Sequence, residues 1–138
     1  MTVTESVAAT ANVVFVDASA LVALADRDDV SHEAAVAAYR DLVGSQFRFF
    51  TTDLALAEAH ALIASALGPE SARTWLAHCN IRVHCITPAD LEEGRRAIEE
   101  GHGPPRATLI DTIHLAVLDR LGVTDVFAVD RAFLGMLG

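Results

Sequence analysis

Four acidic residues are set apart by their surroundings. Asp17 ends the apolar run Val13-Val14-Phe15-Val16, and Asp130 ends Val126-Phe127-Ala128-Val129. Glu58 follows Leu54-Ala55-Leu56-Ala57, and Asp111 sits within Leu109-Ile110-Asp111-Thr112-Ile113. Carboxylates are rarely buried among apolar residues unless paired or bound to a cation. Taken singly, Glu58 or Asp111 could equally lie on a thin solvent-facing stripe of its helix. Gathered in one place, such acids repel one another unless something positive lies between them. The natural occupant is a hard divalent ion with oxygen ligands, Mg²⁺ or Mn²⁺. That ion lowers the pKa of bound water and neutralises charge on a phosphodiester during in-line displacement. The chemistry needs no Lys, Cys or Ser nucleophile, and the chain offers no convincing one.

Composition narrows the alternatives. The 138 residues carry a net charge of −9, and all ten basic residues are Arg. Without Lys there is neither a P-loop nor a Schiff-base enzyme. A hydrophobic fraction of 52% is that of a folded chain, of a length suited to one domain with a real core. The acidic balance weighs against nucleic-acid binding, which favours a basic surface, although a bound cation reverses the sign locally. No apolar run reaches the roughly 20 residues of a membrane span, so no membrane association is expected. Residues 1–12 have neither a basic nor a sufficiently apolar region for a secretory signal and read as a poorly ordered polar tail, with the domain at 13–138. Cys79 and Cys85 lack CxxC spacing, which fits a reducing cytoplasm.

The acids must be positioned by the elements around them. Residues 13–16, 47–51, 81–86 and 125–129 have strand composition, and helical segments separate them. Continuous hydrophobicity in the first suits a strand buried on both faces of a parallel sheet. Ser31, Thr52 or Asp53, and Thr87 are candidate helix caps, and Gly68-Pro69 stops one helix and opens the next. Right-handed crossovers then predict an α/β fold with strand order 3-2-1-4. The topological switch falls between strands one and four, where Asp17 and Asp130 end their strands and where open sheets bind ligands.

Read in order, Val14-Phe15-Val16-Asp17-Ala18-Ser19-Ala20-Leu21, Thr51-Thr52 with Glu58, Thr108 to Ala116, and Val126 to Phe133 resemble the successive motifs of a PIN domain. Size and order are most similar to the VapC-type toxins of bacterial toxin–antitoxin pairs, as is the Asp29–His32–Ala35 segment. The resemblance spans about residues 13–134. It implies a single PIN-like domain with four parallel strands, or five where the family's short final strand follows. It also implies a Mg²⁺- or Mn²⁺-dependent endoribonuclease that acts on RNA and is inhibited by a small antitoxin, as a homodimer or hetero-oligomer. Asp17, Glu58, Asp111 and Asp130 match the family's acidic quartet. Asp17 and Asp111 match direct metal ligands, while Glu58 and Asp130 bind through water or position the nucleophile. Ser19 and Thr108 match hydroxyls that hydrogen-bond ligands, and Arg131 is the best candidate phosphate contact, with Arg27 and Arg106 behind it.

Other readings compete. His114 lies on nearly the same helix face as Asp111, where it could touch substrate or orient that acid, but a buried structural histidine is the simpler reading. His60 reads as structural, and Asp26, Asp28 and Asp29 as a solvated loop. His78, Cys79, His84 and Cys85 fit no standard zinc spacing, and strand alternation would bury Cys85. Trp75 reads as the apolar anchor of an amphipathic helix. A haloacid-dehalogenase-type phosphatase would want an Asp at position 19 and a Lys, and a receiver domain also wants a Lys. A PIN-like module that binds without cleaving is the non-enzymatic alternative, against which the complete set of acids argues.

Overall fold

Val14, Phe15 and Val16 are almost wholly buried, as a central strand covered on both faces requires. The computed structural model describes residues 12–137. Within them, β1 (Val13–Val16), β2 (Arg48–Thr52), β3 (Arg82–His84) and β4 (Asp125–Phe127) form a parallel sheet in the order β3-β2-β1-β4. Register pairs Val13 with Arg48, Val16 with Phe127, and Thr52 with His84. The crossovers contain α1 (Ala18–Ala25) and α2 (His32–Gly44), then α3 (Asp53–Leu67) and α4 (Pro69–His78), then α5 (Pro88–Glu99) and α6 (Leu109–Leu121). A short α7 (Arg131–Met136) follows β4, and no fifth strand occurs among the described residues. The expected tail lies outside the described residues except for Asn12, whose carbonyl accepts the Arg48 N–H at 2.7 Å.

Both outer strands are shorter than composition suggests. β3 keeps only three residues, with Arg82 and Val83 exposed as befits an edge strand. Cys85 therefore lies beyond the strand and is exposed, not buried as alternation predicts. β4 stops at Phe127 because the next amides bond elsewhere: the N–H groups of Val129 and Asp130 donate to Ser19 Oγ at 3.1 and 3.3 Å. Asp17 follows β1 directly, whereas Asp130 comes three residues after β4 and caps α7. The segment resembling the family at Asp29–His32–Ala35 is a joint between helices. Asp29 accepts the N–H of Ser31, His32 Nδ1 donates to the Ala23 carbonyl at 2.7 Å, and Ala35 is buried.

The helices pack in pairs, α3 on α4 and α1, and α5 on α6. Gly94 permits the α5–α6 approach, since a Cβ there would lie 2.7 Å from Ile113 Cγ1 and 2.9 Å from its backbone nitrogen. Beside it, the Thr112 hydroxyl reaches the Gly94 carbonyl at 3.0 Å. Asp90 adds an ionic clamp. It closes the capping box of α5 with Thr87 and accepts Arg120 Nε and Nη2 at 2.9 and 2.8 Å. Gly122, at φ +67°, supplies the left-handed residue that ends α6 and turns the chain into β4. Phe133 is buried and fixes α7 to the core.

Candidate active site

Strands delivering their C-terminal ends into helices bring helix N-termini to one edge of the sheet, and the acids are built into those junctions. Asp17 is the N-cap of α1, and its Oδ2 accepts the Ser19 N–H at 3.2 Å and the Ser19 hydroxyl at 2.8 Å. Its backbone N–H continues the ladder to the Phe127 carbonyl at 2.9 Å. Asp111 stands at the third position of α6, where its Oδ2 accepts the Thr108 N–H at 3.0 Å and Thr108 Oγ1 accepts the Asp111 N–H at 3.2 Å. Asp130 caps α7 through Oδ1, which accepts the Ala132 N–H at 2.9 Å. Three of the expected acids are thus tethered through one carboxylate oxygen to amides at the positive end of a helix, which favours negative charge. Those oxygens are oriented by the fold itself.

Glu58 lies in the second turn of α3, partly buried, outside any such cap. Its carboxyl is pushed above its ordinary value, first by burial and then by the charges of Asp17, Asp111 and Asp130. The charges of the other three acids thus all reach Glu58. Asp17 is buried, Glu58 and Asp111 are partly so, and Asp130 is exposed, so the group opens from sheet to solvent.

Beneath the acids, the Thr52 side chain accepts the Ala55 N–H at 3.0 Å as the cap of α3 and lies 2.7 Å from His114 Nε2 on α6. His114 is 1% exposed, and its ring meets that of Phe15 at 4.9 Å. Burial lowers its pKa, against the opposing pull of Asp17, Asp111 and Asp53. Among the described residues its Nδ1 has no hydrogen-bond partner. Thr51 ties the neighbouring strands, its hydroxyl donating to the Val16 carbonyl at 2.7 Å.

The remaining expectations divide. Ser19 joins the quartet, linking Asp17 to the segment carrying Asp130. Thr108 is exposed and acts as the cap that holds Asp111. Arg131 is exposed beside Asp130, and Arg106 lies exposed in the loop before α6. Trp75 is half-buried against the core, as expected of an anchor. Two contributors are not among the site residues expected from sequence: Thr52, read there as a possible cap and as part of a family motif, and Asp53, read only as an alternative cap, whose Oδ1 accepts the Ile86 N–H at 3.0 Å and whose charge reaches His114. The Thr51-Thr52-Asp53 run was the available signal.

The donor set tests the fit to a cation. It consists of carboxylates, suited to a hard divalent ion, and the charges acting on Glu58 are all negative. Among the described residues no group of three or more His, Cys, Asp or Glu side chains stands close enough together to hold a metal ion. Each capped acid has a second carboxylate oxygen outside its cap. The residues thus fit such an ion by the chemistry of their oxygens and not by a ready-made cage.

The architecture is a single parallel α/β domain with acids built into the helix starts at the C-terminal edge of its sheet. The PIN domain family profile matches residues 14–135, and the chain belongs to that family. Its fold is also similar to the crystal structure of Mycobacterium tuberculosis VapC20, described as a sarcin–ricin loop cleaving toxin. That match has a TM-score of 0.75 and 23% identity, covering 88% of this chain and 93% of the other. A search of curated proteins found no match. No helix among the described residues is long and apolar enough to cross a membrane.

Proposed function

We propose that this chain is a Mg²⁺- or Mn²⁺-dependent endoribonuclease and the toxin of a type II toxin–antitoxin pair, inhibited by a small antitoxin and working in the cytoplasm as a homodimer or hetero-oligomer. One observation carries the reading: Asp17, Asp111 and Asp130, from three helix N-termini, all act on Glu58 at the switch of a PIN-domain sheet. The structural likeness to a sarcin–ricin loop cleaving toxin supports RNA as the substrate class.

Asp17 and Asp111 would hold the ion directly, with Glu58 and Asp130 completing the set through water or by positioning the nucleophile. Once bound, the ion supplies charge neutralisation at the phosphodiester and a more acidic water. The chain's own residues supply order. Ser19 fixes the Asp17 carboxylate and, through the Val129 and Asp130 amides, the entry to α7. Thr108 holds Asp111 by its cap. Arg131, with Arg106 nearer α6, offers positive charge to the substrate backbone beside an otherwise acidic surface. An Arg from the antitoxin, placed among the acids, would both neutralise them and block substrate.

The test is cleavage of total RNA by purified protein under Mn²⁺ titration. Cleavage is expected to require the metal and to disappear in Asp17→Asn, which retains a capping side chain but removes the charge. Cleavage undiminished by excess EDTA would overturn the proposal. Metal-independent RNA binding without cleavage would favour the binding-module reading instead.

A further inference from the structure

His114 is buried, and among the described residues its Nδ1 has no partner, an arrangement that costs stability. The hydroxyl of Thr52 already accepts the Ala55 N–H, so its own hydrogen is free to be donated. Donation to His114 Nε2 uses every polar group of the pair except Nδ1, which then carries the ring proton. The reverse arrangement, with Nε2–H donating, would leave both Nδ1 and the Thr52 hydrogen unused. Burial favours the neutral ring that this assignment needs. An apolar side chain would avoid the orphan Nδ1 donor but leave the buried Thr52 hydrogen without its acceptor, so what the histidine adds over plain packing is its link to Thr52.

Placement supplies the explanation. The helix carrying Glu58, α3, packs on α1 and α4, whereas α6, carrying Asp111, packs chiefly on α5. Among the described residues, the Thr52–His114 bond is the hydrogen bond joining α6 to β2 and α3. It sits at the first residues of α3 and one turn below Asp111, immediately under the acids. We propose that His114 is a positioning residue: by accepting the Thr52 hydroxyl it locks the α5–α6 pair to the start of α3 and thereby sets Asp111 against Glu58. The proposal rests on the reading of the acids as a metal-dependent nuclease site.

The experiment compares the parent, His114→Leu and His114→Gln, measuring Mn²⁺ affinity by calorimetry, RNA cleavage, and thermal stability of the metal-free protein. His114→Leu removes both the acceptor and the orphan donor. It trades the orphan Nδ1 donor for an orphan Thr52 hydrogen, so the melting temperature is expected to change by only a few degrees while Mn²⁺ binding weakens about tenfold and kcat falls at least tenfold, with KM for RNA within about twofold. His114→Gln restores an acceptor near the Nε2 position and should recover much of both losses. Parental Mn²⁺ affinity and kcat in a folded His114→Leu would overturn the proposal. Should that variant fail to fold, a double-mutant cycle of His114→Gln with Thr52→Ser and Thr52→Ala decides. Non-additive Mn²⁺ affinities support the link, and strictly additive ones overturn it. A parent that cleaves without metal and binds no Mn²⁺ would instead overturn the reading of the acids as a metal-dependent site.

Discussion

Ser19 Oγ lies 2.8 Å from Asp17 Oδ2 and also receives the N–H of Val129 at 3.1 Å and of Asp130 at 3.3 Å. One hydroxyl thus donates to the acid after β1 and accepts from the segment that leads from β4 to the acid capping α7. It spans the topological switch and stands where further ladder bonds between β1 and β4 would otherwise form. Removing it releases two amides and an oriented carboxylate together. Ser19→Ala is expected to cost about 1–2 kcal/mol of stability, and to lower cleavage more than tenfold because Asp17 and Asp130 lose their common tether. Denaturant unfolding and RNA-cleavage rates measure the two effects. Ser19→Thr, which keeps a hydroxyl, should lie between parent and Ala.

Glu58 suffers from its neighbours. With its carboxyl raised by burial and by Asp17, Asp111 and Asp130, its ionisation opposes folding in the metal-free protein. A carboxylate whose folded pKa is raised contributes stability below its unfolded value and loses it as pH climbs through the folded value. The metal-free parent should therefore lose this contribution as pH rises above about 4.5, the ordinary value for Glu. Glu58→Gln should remove that slope and stabilise the metal-free protein near neutral pH by on the order of 0.5 kcal/mol after solvent screening. The same substitution should abolish metal-dependent cleavage. Thermal melts across pH with EDTA present, beside cleavage assays with Mn²⁺, separate the two consequences.

Much of this arrangement was legible in the residues. Asp17 could be placed because a strand buried on both faces must be apolar throughout, so a carboxylate at its end marks where the strand stops. The order 3-2-1-4 followed from alternating elements and crossover handedness, and the pairing bears it out. Glu58 and Asp111 could be singled out by their apolar surroundings, but their convergence depends on how helices pack, which periodicity does not encode. The short β4 was hidden for another reason. Ala128 and Val129 have strand composition, yet a side chain 110 residues away from Val129 takes its amide. The Thr52–His114 link was equally invisible, because a threonine cap and a helical histidine 62 residues apart carry no local mark of their meeting.

At Gly94 the backbones of α5 and α6 pack with no room for a side chain. Any Cβ would stand 2.7 Å from Ile113 Cγ1 and 2.9 Å from the Ile113 nitrogen, and the latter belongs to rigid helix backbone. The helices must separate to admit even a methyl group. Gly94→Ala should gain slightly in helix propensity yet lose about 1–3 kcal/mol overall from overpacking. It should also stretch the Thr112 bond to the Gly94 carbonyl. Because α6 carries Asp111 two residues before Ile113, cleavage should fall alongside stability. A variant as stable as the parent in urea unfolding would show that the helices part without cost.

The Asp90–Arg120 pair sets an acid limit on the same two helices. Asp90 is 2% exposed, while the Arg120 side chain is 39% exposed, so this is a half-buried pair with a well-satisfied carboxylate. Hydrogen bonding from Arg120 holds the carboxyl down at about 2, with Thr87 assisting against the opposing effect of burial. A depressed folded pKa means the pair's contribution is complete above the unfolded value of 3.8 and is lost as pH falls towards about 2. Arg120→Met keeps the aliphatic packing but leaves Asp90 without its cation. At neutral pH it should cost about 1–3 kcal/mol, below the range for fully buried pairs because Arg120 is partly solvated. It should also flatten the loss of stability between pH 4 and pH 2. Because the pair lies at the α5 start and the α6 end, away from Asp111, cleavage at neutral pH should stay within about threefold of the parent at temperatures where both are folded. Chemical unfolding at pH 7, 4 and 2.5 checks the slope, and a variant with the parent's full acid sensitivity would place that sensitivity in other carboxylates.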